Sequence, residues 1–348
     1  MSKLPCIAVS LWAGLAVITL TGVASAQDDA RARQQRLLCA LLGGDLADPG
    51  GLAEFRRCLS AVPAVGSGPP DPAQAVPPAG FGGNSRQPVG DGVKRFLAAE
   101  GLLYAVSDDA RLWRRSASTN DPRLIDEDVA ALQIVDGHLF VQSADGTLSR
   151  AKLDGSGKTR IDAAVAAFQP VNAGLIYVLG TDGILWREIG DAGNRTEVDR
   201  TVKAFQAVDA SLVFVLGADQ KLWREVGTMR SRSLIASQVI GFQYIPDGDT
   251  TYVQTGDATL WRKSGNEKPE EVDTRVAAFQ AIDMHLVYVL GADGRLWQEI
   301  GGRSQAALVD RDVLVTSGRA AFQATDPSHI YLLGSDHKLW AESMPAER

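Results

Sequence analysis

Along most of this chain the apolar positions come in short runs separated by small polar clusters. From Lys203 to Val239 the runs are AFQAV, SLVFVLG, KLWREVG and SLIASQV, with turn-forming residues between them. Runs this short, rich in Val, Leu, Phe and Trp, predict β-strands. The near-continuous LVFVLG predicts a strand buried on both faces. Between the second and third runs, sequences such as GADG at residues 291–294 predict a tight hairpin turn. There Asp bonds the backbone and Gly takes a positive φ.

The unit recurs. AFQ or a close variant is centred on Phe96, Leu132, Phe168, Phe205, Phe242, Phe279 and Phe322, at steps of 36, 36, 37, 37, 37 and 43 residues. Seven aspartates, Asp109, Asp145, Asp182, Asp219, Asp257, Asp293 and Asp336, each stand four residues before a fixed position. That position holds Trp113, Ser149, Trp186, Trp223, Trp261, Trp297 and Trp340. An aromatic recurs as Tyr104, Phe140, Tyr177, Phe214, Tyr252, Tyr288 and Tyr331. Four short strands per repeat predict a β-propeller blade. Period-two runs and Gly turns exclude a stack of helix pairs, which leaves an open β-solenoid as the rival.

The chain ends favour the propeller. After KLWAES the last unit has only MPAER, so it lacks a fourth strand. Ahead of the first unit, SRQPVGDGVKRF aligns with NRTEVDRTVKAF, matching Val89 to Val198, Val93 to Val202 and Lys94 to Lys203. The missing strand is expected from this segment, which would close the ring and remove an exposed edge. The expected fold class is all-β: a closed seven-bladed propeller of four-stranded blades over residues 86–348.

Residues 1–26 read differently. One basic residue (Lys3), an apolar run from about Ile7 to Val23 and Ala24-Ser25-Ala26 predict a secretory signal peptide cut before Gln27. An uncleaved membrane anchor is the alternative, since the run is just long enough to span. Export places the protein in the periplasm or outside the cell, with no membrane insertion after cleavage. Residues 27–62 hold two helical patterns, DDARARQQRLLCALLGG and GLAEFRRCLSAV, read as a hairpin stapled by a Cys39–Cys58 disulfide. Such a crosslink stabilises by about 3 kcal/mol in the chain-entropy model. Residues 63–85, rich in Pro, Gly and Ala, read as a linker.

Formal charge is −7 over 348 residues, becoming −8 when Lys3 leaves with the signal segment. An acidic chain without Lys/Arg clusters is a poor partner for nucleic acid or anionic membrane. The histidines, His138, His285, His329 and His337, fall at different places in their units and make neither a metal cluster nor a triad. No nucleophile motif, phosphate loop or zinc spacing is present. A binding protein rather than an enzyme is expected, with no cofactor or metal.

The repeated residues carry two readings each. The Trp fits as packing between blades, or, at Trp186, Trp223 and Trp297, as a stacking surface for a ligand. The Arg after it (Arg114, Arg187, Arg224, Arg262) fits as a partner for a ring or an acid. The seven aspartates fit as turn caps. Together they would also form a carboxylate ring for sugar hydroxyls, a cation or a basic partner, on the face shared by the strand 2–3 turns and the blade connections. Symmetry breaks at Ser149, at Pro246–Asp249 and in the longer segment Asp310–Arg319, where specificity often lives.

The β repeats with DGxLW-type turns resemble the tectonin and tachylectin-like propellers, a loose group of secreted lectins and surface-recognition proteins. The resemblance covers the seven units only. It implies glycan binding between blades or on one face, with avidity from several similar sites. No sugar-contacting residue transfers with it. The competing expectation is a protein-interaction scaffold with one saturable partner.

Overall fold

The computed structural model describes residues 85–343, apart from residues 100, 117–118, 228–230, 302–305, 316–320 and 328. The expected signal segment, the Cys39–Cys58 hairpin and the linker up to residue 84 lie outside the described residues.

The strands form seven antiparallel four-stranded sheets. β1 (Ser85–Asp91) comes first. Blade 1 is β2 (Val93–Ala99), β3 (Leu102–Ser107), β4 (Leu112–Ser116) and β5 (Thr119–Asp126). Blades 2 to 6 follow in order as β6–β9 (129–162), β10–β13 (165–199), β14–β17 (202–236), β18–β21 (239–273) and β22–β25 (276–310). Blade 7 contains β26 (Phe322–Asp326), β27 (His329–Leu333) and β28 (Lys338–Ser343), and its fourth strand is β1. β1 pairs antiparallel with β28, Ser85 opposite Ser343 and Asp91 opposite Lys338. The expected seven-bladed all-β propeller is present.

Each blade repeats the same local devices. In every blade the pairing of strands three and four slips by one residue just after the conserved Leu. The extra residue is always β-branched: Ile125, Ile161, Val198, Ile235, Val272, Val309 and, in β1, Val89. A bulge bends the outer strand and sharpens its twist, as a blade requires. The match of Val89 to Val198 in sequence is therefore a match of bulge positions.

The strand 2–3 turn places its fourth residue in the left-handed region in all seven blades. Gly146, Gly183 and Gly294 sit there at φ near 80°, and Ala110, Gln220, Ala258 and His337 are forced there at 60–64°. That residue's carbonyl then meets the next blade. Val165 N–H donates to Gly146 O, Val202 to Gly183 O and Val239 to Gln220 O, at 2.9–3.0 Å. The residue just before each of these valines accepts in turn from its own blade, as Ala164 O does from Thr181 N–H (2.8 Å). Turn and connection thus share one face, as expected, and backbone bonds stitch neighbouring blades there.

The core divides by seam. There is one buried cluster for each pair of adjacent blades, and each is built from the two-sided apolar second strand of one blade and the first strand of the next. The 6–7 seam buries Tyr288, Leu290, Phe322, Ile330 and Leu332 among ten residues, and the 3–4 seam nine, including Tyr177, Phe205 and Val215. Among the described residues the 7–1 seam fully buries four, Val93, Leu103, Leu333 and Leu339, with six partly buried residues packed against them.

Candidate functional site

The seven aspartates all sit exposed in the strand 2–3 turns. Six accept the backbone N–H two residues on: Thr147 to Asp145 (2.8 Å), Ile184 to Asp182 (3.0 Å), and likewise for Asp219, Asp257, Asp293 and Asp336 (3.1–3.2 Å). In blade 1 the Ser107 hydroxyl donates to Asp109 at 2.5 Å. This bond holds the Asp109 carboxyl below its ordinary range, as the Thr147 N–H does for Asp145 and the Thr255 hydroxyl for Asp257. In blades 1, 4 and 6 the residue two places later, Arg111, Lys221 or Arg295, pairs with the carboxylate at 3.1–3.6 Å. Asp109, Asp145, Asp182, Asp219, Asp257, Asp293 and Asp336 are thus turn caps, with their outer oxygens facing solvent.

The tryptophans lie on the blade face that looks back at the preceding blade, and three are covered. Arg195 stacks over Trp186, Arg232 over Trp223 and Arg86 over Trp340, each with its guanidinium carbon 4.2 Å from the ring. These arginines come from the outer strand. Three of the four arginines that follow a Trp do something else: they point to the following blade. Arg114, Arg187 and Arg262 donate to the carbonyls of Leu153, Ala210 and Met284 there. Arg262 also pairs with Glu270 (2.6 Å), the acid partner expected for this position. The recurrent tyrosines reach the same turns, Tyr177 Oη donating to Asp209 O (3.1 Å) and Tyr252 Oη to Met284 O (3.1 Å). Their rings meet the next blade's first-strand Phe, as in Tyr177–Phe205 with centroids 6.4 Å apart.

The glutamine of AFQ, used above only to set the repeat, is an inter-blade clamp. Gln169 Nε2 donates to Ala207 O (2.8 Å) while Ala207 N–H donates to Gln169 Oε1 (2.7 Å). Gln206, Gln243, Gln280 and Gln323 make the same two-point bond, to Tyr244, Ala281, Ala324 and Ala98. Its near-invariance along the repeat was the available signal, since a buried amide must find partners.

A second set went unread in the sequence. Each outer strand ends as x-x-x-(Val/Ile)-Asp in five blades, and the residue two after Trp is Glu in four. In space these acids meet across a seam around one cation. At seam 3–4, Arg232 lies 3.7 Å from Asp199 of the preceding blade and 3.9 Å from Glu225 of its own. At seam 6–7, Arg86 lies 2.9 Å from Asp310 and 3.7 Å from Glu342. At seam 2–3, Arg195 lies 3.8 Å from Asp162, and at seam 1–2, Lys158 pairs with Asp126. Burial, and the Asp199 carboxylate beside it, push Glu225 up to about 8.

Two seams lack the set entirely. At 7–1 the Asp is Gly90, the Glu is Arg115 and the covering Arg is Pro122; at 4–5 they are Ala236, Lys263 and Pro269. In these two seams all three positions change together, which leaves no buried Glu there without a cation. At 7–1 this coincides with the thinnest core. A cleft of about 210 Å³ opens there, lined by Val89, Val93, Leu103, Trp113, Arg115 and Pro122 among others. Arg115 donates to the Val89 carbonyl.

The histidines stay apart, and among the described residues no group of His, Cys, Asp or Glu is arranged to hold a metal. Of the symmetry-breaking segments, Pro246–Asp249 forms a single 3₁₀ turn in which Asp249 accepts from Tyr244 Oη (3.0 Å). The start of Asp310–Arg319 runs along the edge of β27, Leu314 N–H donating to Leu333 O (2.8 Å).

No protein-family model matches the sequence, and no curated protein matches it. Solved structures do. YCF48 bound to a D1 peptide superposes with TM-score 0.58 at 9% identity, covering 78% of this chain and 100% of that one. PorZ, described as an essential bacterial surface component of the type-IX secretion system of Porphyromonas gingivalis, gives 0.53 at 13%, covering 76% of this chain and 40% of its own. The C-terminal WD40 domain of Sif2 gives 0.53 at 11%, covering 73% and 82%. At these identities the likeness is one of fold.

Proposed function

We propose that this chain is an exported, non-catalytic binding module that recognises a protein partner through its propeller. One observation carries the reading: the repeated residues are occupied in holding the ring together. The aspartates cap turns, the glutamines clamp blades, and Trp186 and Trp223 lie under arginines. Seven-fold equivalent sugar sites would need those same groups free. The accessible aromatic cleft instead sits at a seam where the repeat is broken, which suits one partner per ring. Propellers of this fold include YCF48, solved with a D1 peptide, and PorZ, a secretion-system surface component. Export fits the amino-terminal pattern, and a Cys39–Cys58 staple fits an oxidising compartment. The pairing of β1 with β28 fits a ring latched between first and last blades.

The glycan reading retains one support, the exposed oxygens of the turn carboxylates. Two measurements separate the readings. A photo-crosslinking residue at Pro122, examined in cells, is expected to give one discrete protein adduct that the same residue at the outer-strand position Glu197 does not give. Binding to immobilised polysaccharide at several equivalent sites per chain, lost with the aspartates, would overturn the protein reading in favour of the lectin-like one.

A further inference from the structure

At four seams a carboxylate from the preceding blade meets a cation. At the 7–1 seam that carboxylate is missing, because Gly90 replaces the aspartate, while a cation remains. Arg115 has moved into the position that Glu188, Glu225, Glu299 and Glu342 hold in other blades. Its guanidinium carries five donors. Val89 O accepts from it, and among the described residues no carboxylate pairs with it. Beside it, among the described residues, no arginine covers Trp113, and the outer strand supplies Pro122 there. The lining combines an indole, a guanidinium and the apolar Val89, Val93 and Leu103. Asp91 stands at the rim with its side chain 83% exposed, 3.9 Å from Lys338. A volume near 210 Å³ falls below the ~300–1,000 Å³ of sites for drug-sized ligands. It suits one residue and its terminal group.

We propose that the Trp113–Arg115 cleft binds the carboxyl terminus of a partner polypeptide, the carboxylate replacing the missing seam aspartate on Arg115 and an apolar last side chain lying on Trp113. The paired charge is what four other seams provide internally. An arginine–carboxylate bond is among the stronger hydrogen-bonded pairs, and an aromatic floor adds apolar contact. The proposal deepens the protein-partner reading and depends on it for the source of the terminus, although the cleft's chemistry can be tested without the partner.

The test uses the full chain and two N-acetylated pentapeptides of one sequence ending in phenylalanine, one a free acid and the other an amide. N-acetylphenylalanine and an amidated peptide ending in glutamate serve as further probes. Calorimetric titration is expected to show the free-acid peptide binding at least ~10-fold tighter than its amide, as loss of a charge-assisted bond implies. Arg115→Gln should remove that preference. Gly90→Asp supplies the seam carboxylate from within, and should abolish peptide binding without lowering Tm. Its new Cβ would come no closer than 3.4 Å to Val93, and Gly90 is outside the left-handed region. Equal binding of acid and amide, or acid binding that survives in both variants, would overturn the proposal. So would absence of binding by all four probes to a folded wild-type chain. Equal affinity for N-acetylphenylalanine would reassign the site to small acids, and preference for the glutamate peptide would reassign it to an acidic side chain; both reject the terminus. A discrete protein adduct at Pro122 alongside negative titrations would leave the partner reading standing and remove only this one.

Discussion

Gln220, Ala258, Ala110 and His337 show what a repeat costs single residues. Each occupies the left-handed turn position that glycine fills in three other blades, and in the first three the carbonyl there accepts from the next blade's N–H. A side chain in that conformation carries a steric penalty of roughly 1 kcal/mol. Gln220→Gly is expected to raise stability by about 0.5–1 kcal/mol after the added unfolded-state entropy is counted. Gly183→Ala should lower it by about 1 kcal/mol, read as opposite shifts in thermal midpoint. Glu225 supplies a test of a different kind. Its folded carboxyl titrates near 8, above its ordinary value of 4.5. Stability from the protonated form is therefore complete below about pH 4.5 and is lost as pH rises through 8. The thermal midpoint of the wild type should fall between pH 5 and pH 8 more than that of Glu225→Gln, and equal slopes would refute the assignment.

At the scale of strands and blades, seams rather than sheets hold the molecule's distinctive chemistry. Gln169→Leu should leave the N–H and C=O of Ala207 buried and unpaired, at a cost of about 2–3 kcal/mol. Gln169→Glu, which keeps the acceptor for the Ala207 N–H, should recover part of the loss at low pH, and chemical denaturation of both variants measures it. Blade number, strand order and the bulge match of Val89 were legible in the chain because period and turn chemistry are local. The aspartates' capping role was legible for the same reason. What Gln169, Arg195 or Glu188 does was not, since their partners lie one repeat away and only the ring brings them together. The seam sets could have been found by reading each repeat against its predecessor: an aspartate at the end of one outer strand predicts a cation in the next, in four seams of five. At the fifth, 5–6, the cation's position holds Ala306, opposite Glu299.

Across the seven blades the seams are unequal, and the 7–1 seam combines the smallest buried cluster among the described residues with the absence of an ion set. Local opening follows low burial. Native-state hydrogen exchange is expected to show the amides of β1, β2 and β28 exchanging before those of the 3–4 seam, whose cluster is more than twice as large. Exchange at the 3–4 seam as fast as at 7–1 would contradict this. A free-acid peptide in the cleft should slow 7–1 exchange selectively, which links the proposed site to ring stability by mass action.

The swap that puts β1 into the last blade also sets an order of assembly. Ser85 pairs opposite Ser343, so β1 is synthesised long before the last hairpin that gives it a partner. Until then blades 1 to 6 can stack in sequence, each on its predecessor, while the β1 edge stays open to other chains. Contacts so distant along the chain are slow to form. Were the chain threaded across a membrane unfolded, as its amino-terminal pattern is proposed to direct, this seam would form only after the last hairpin had crossed.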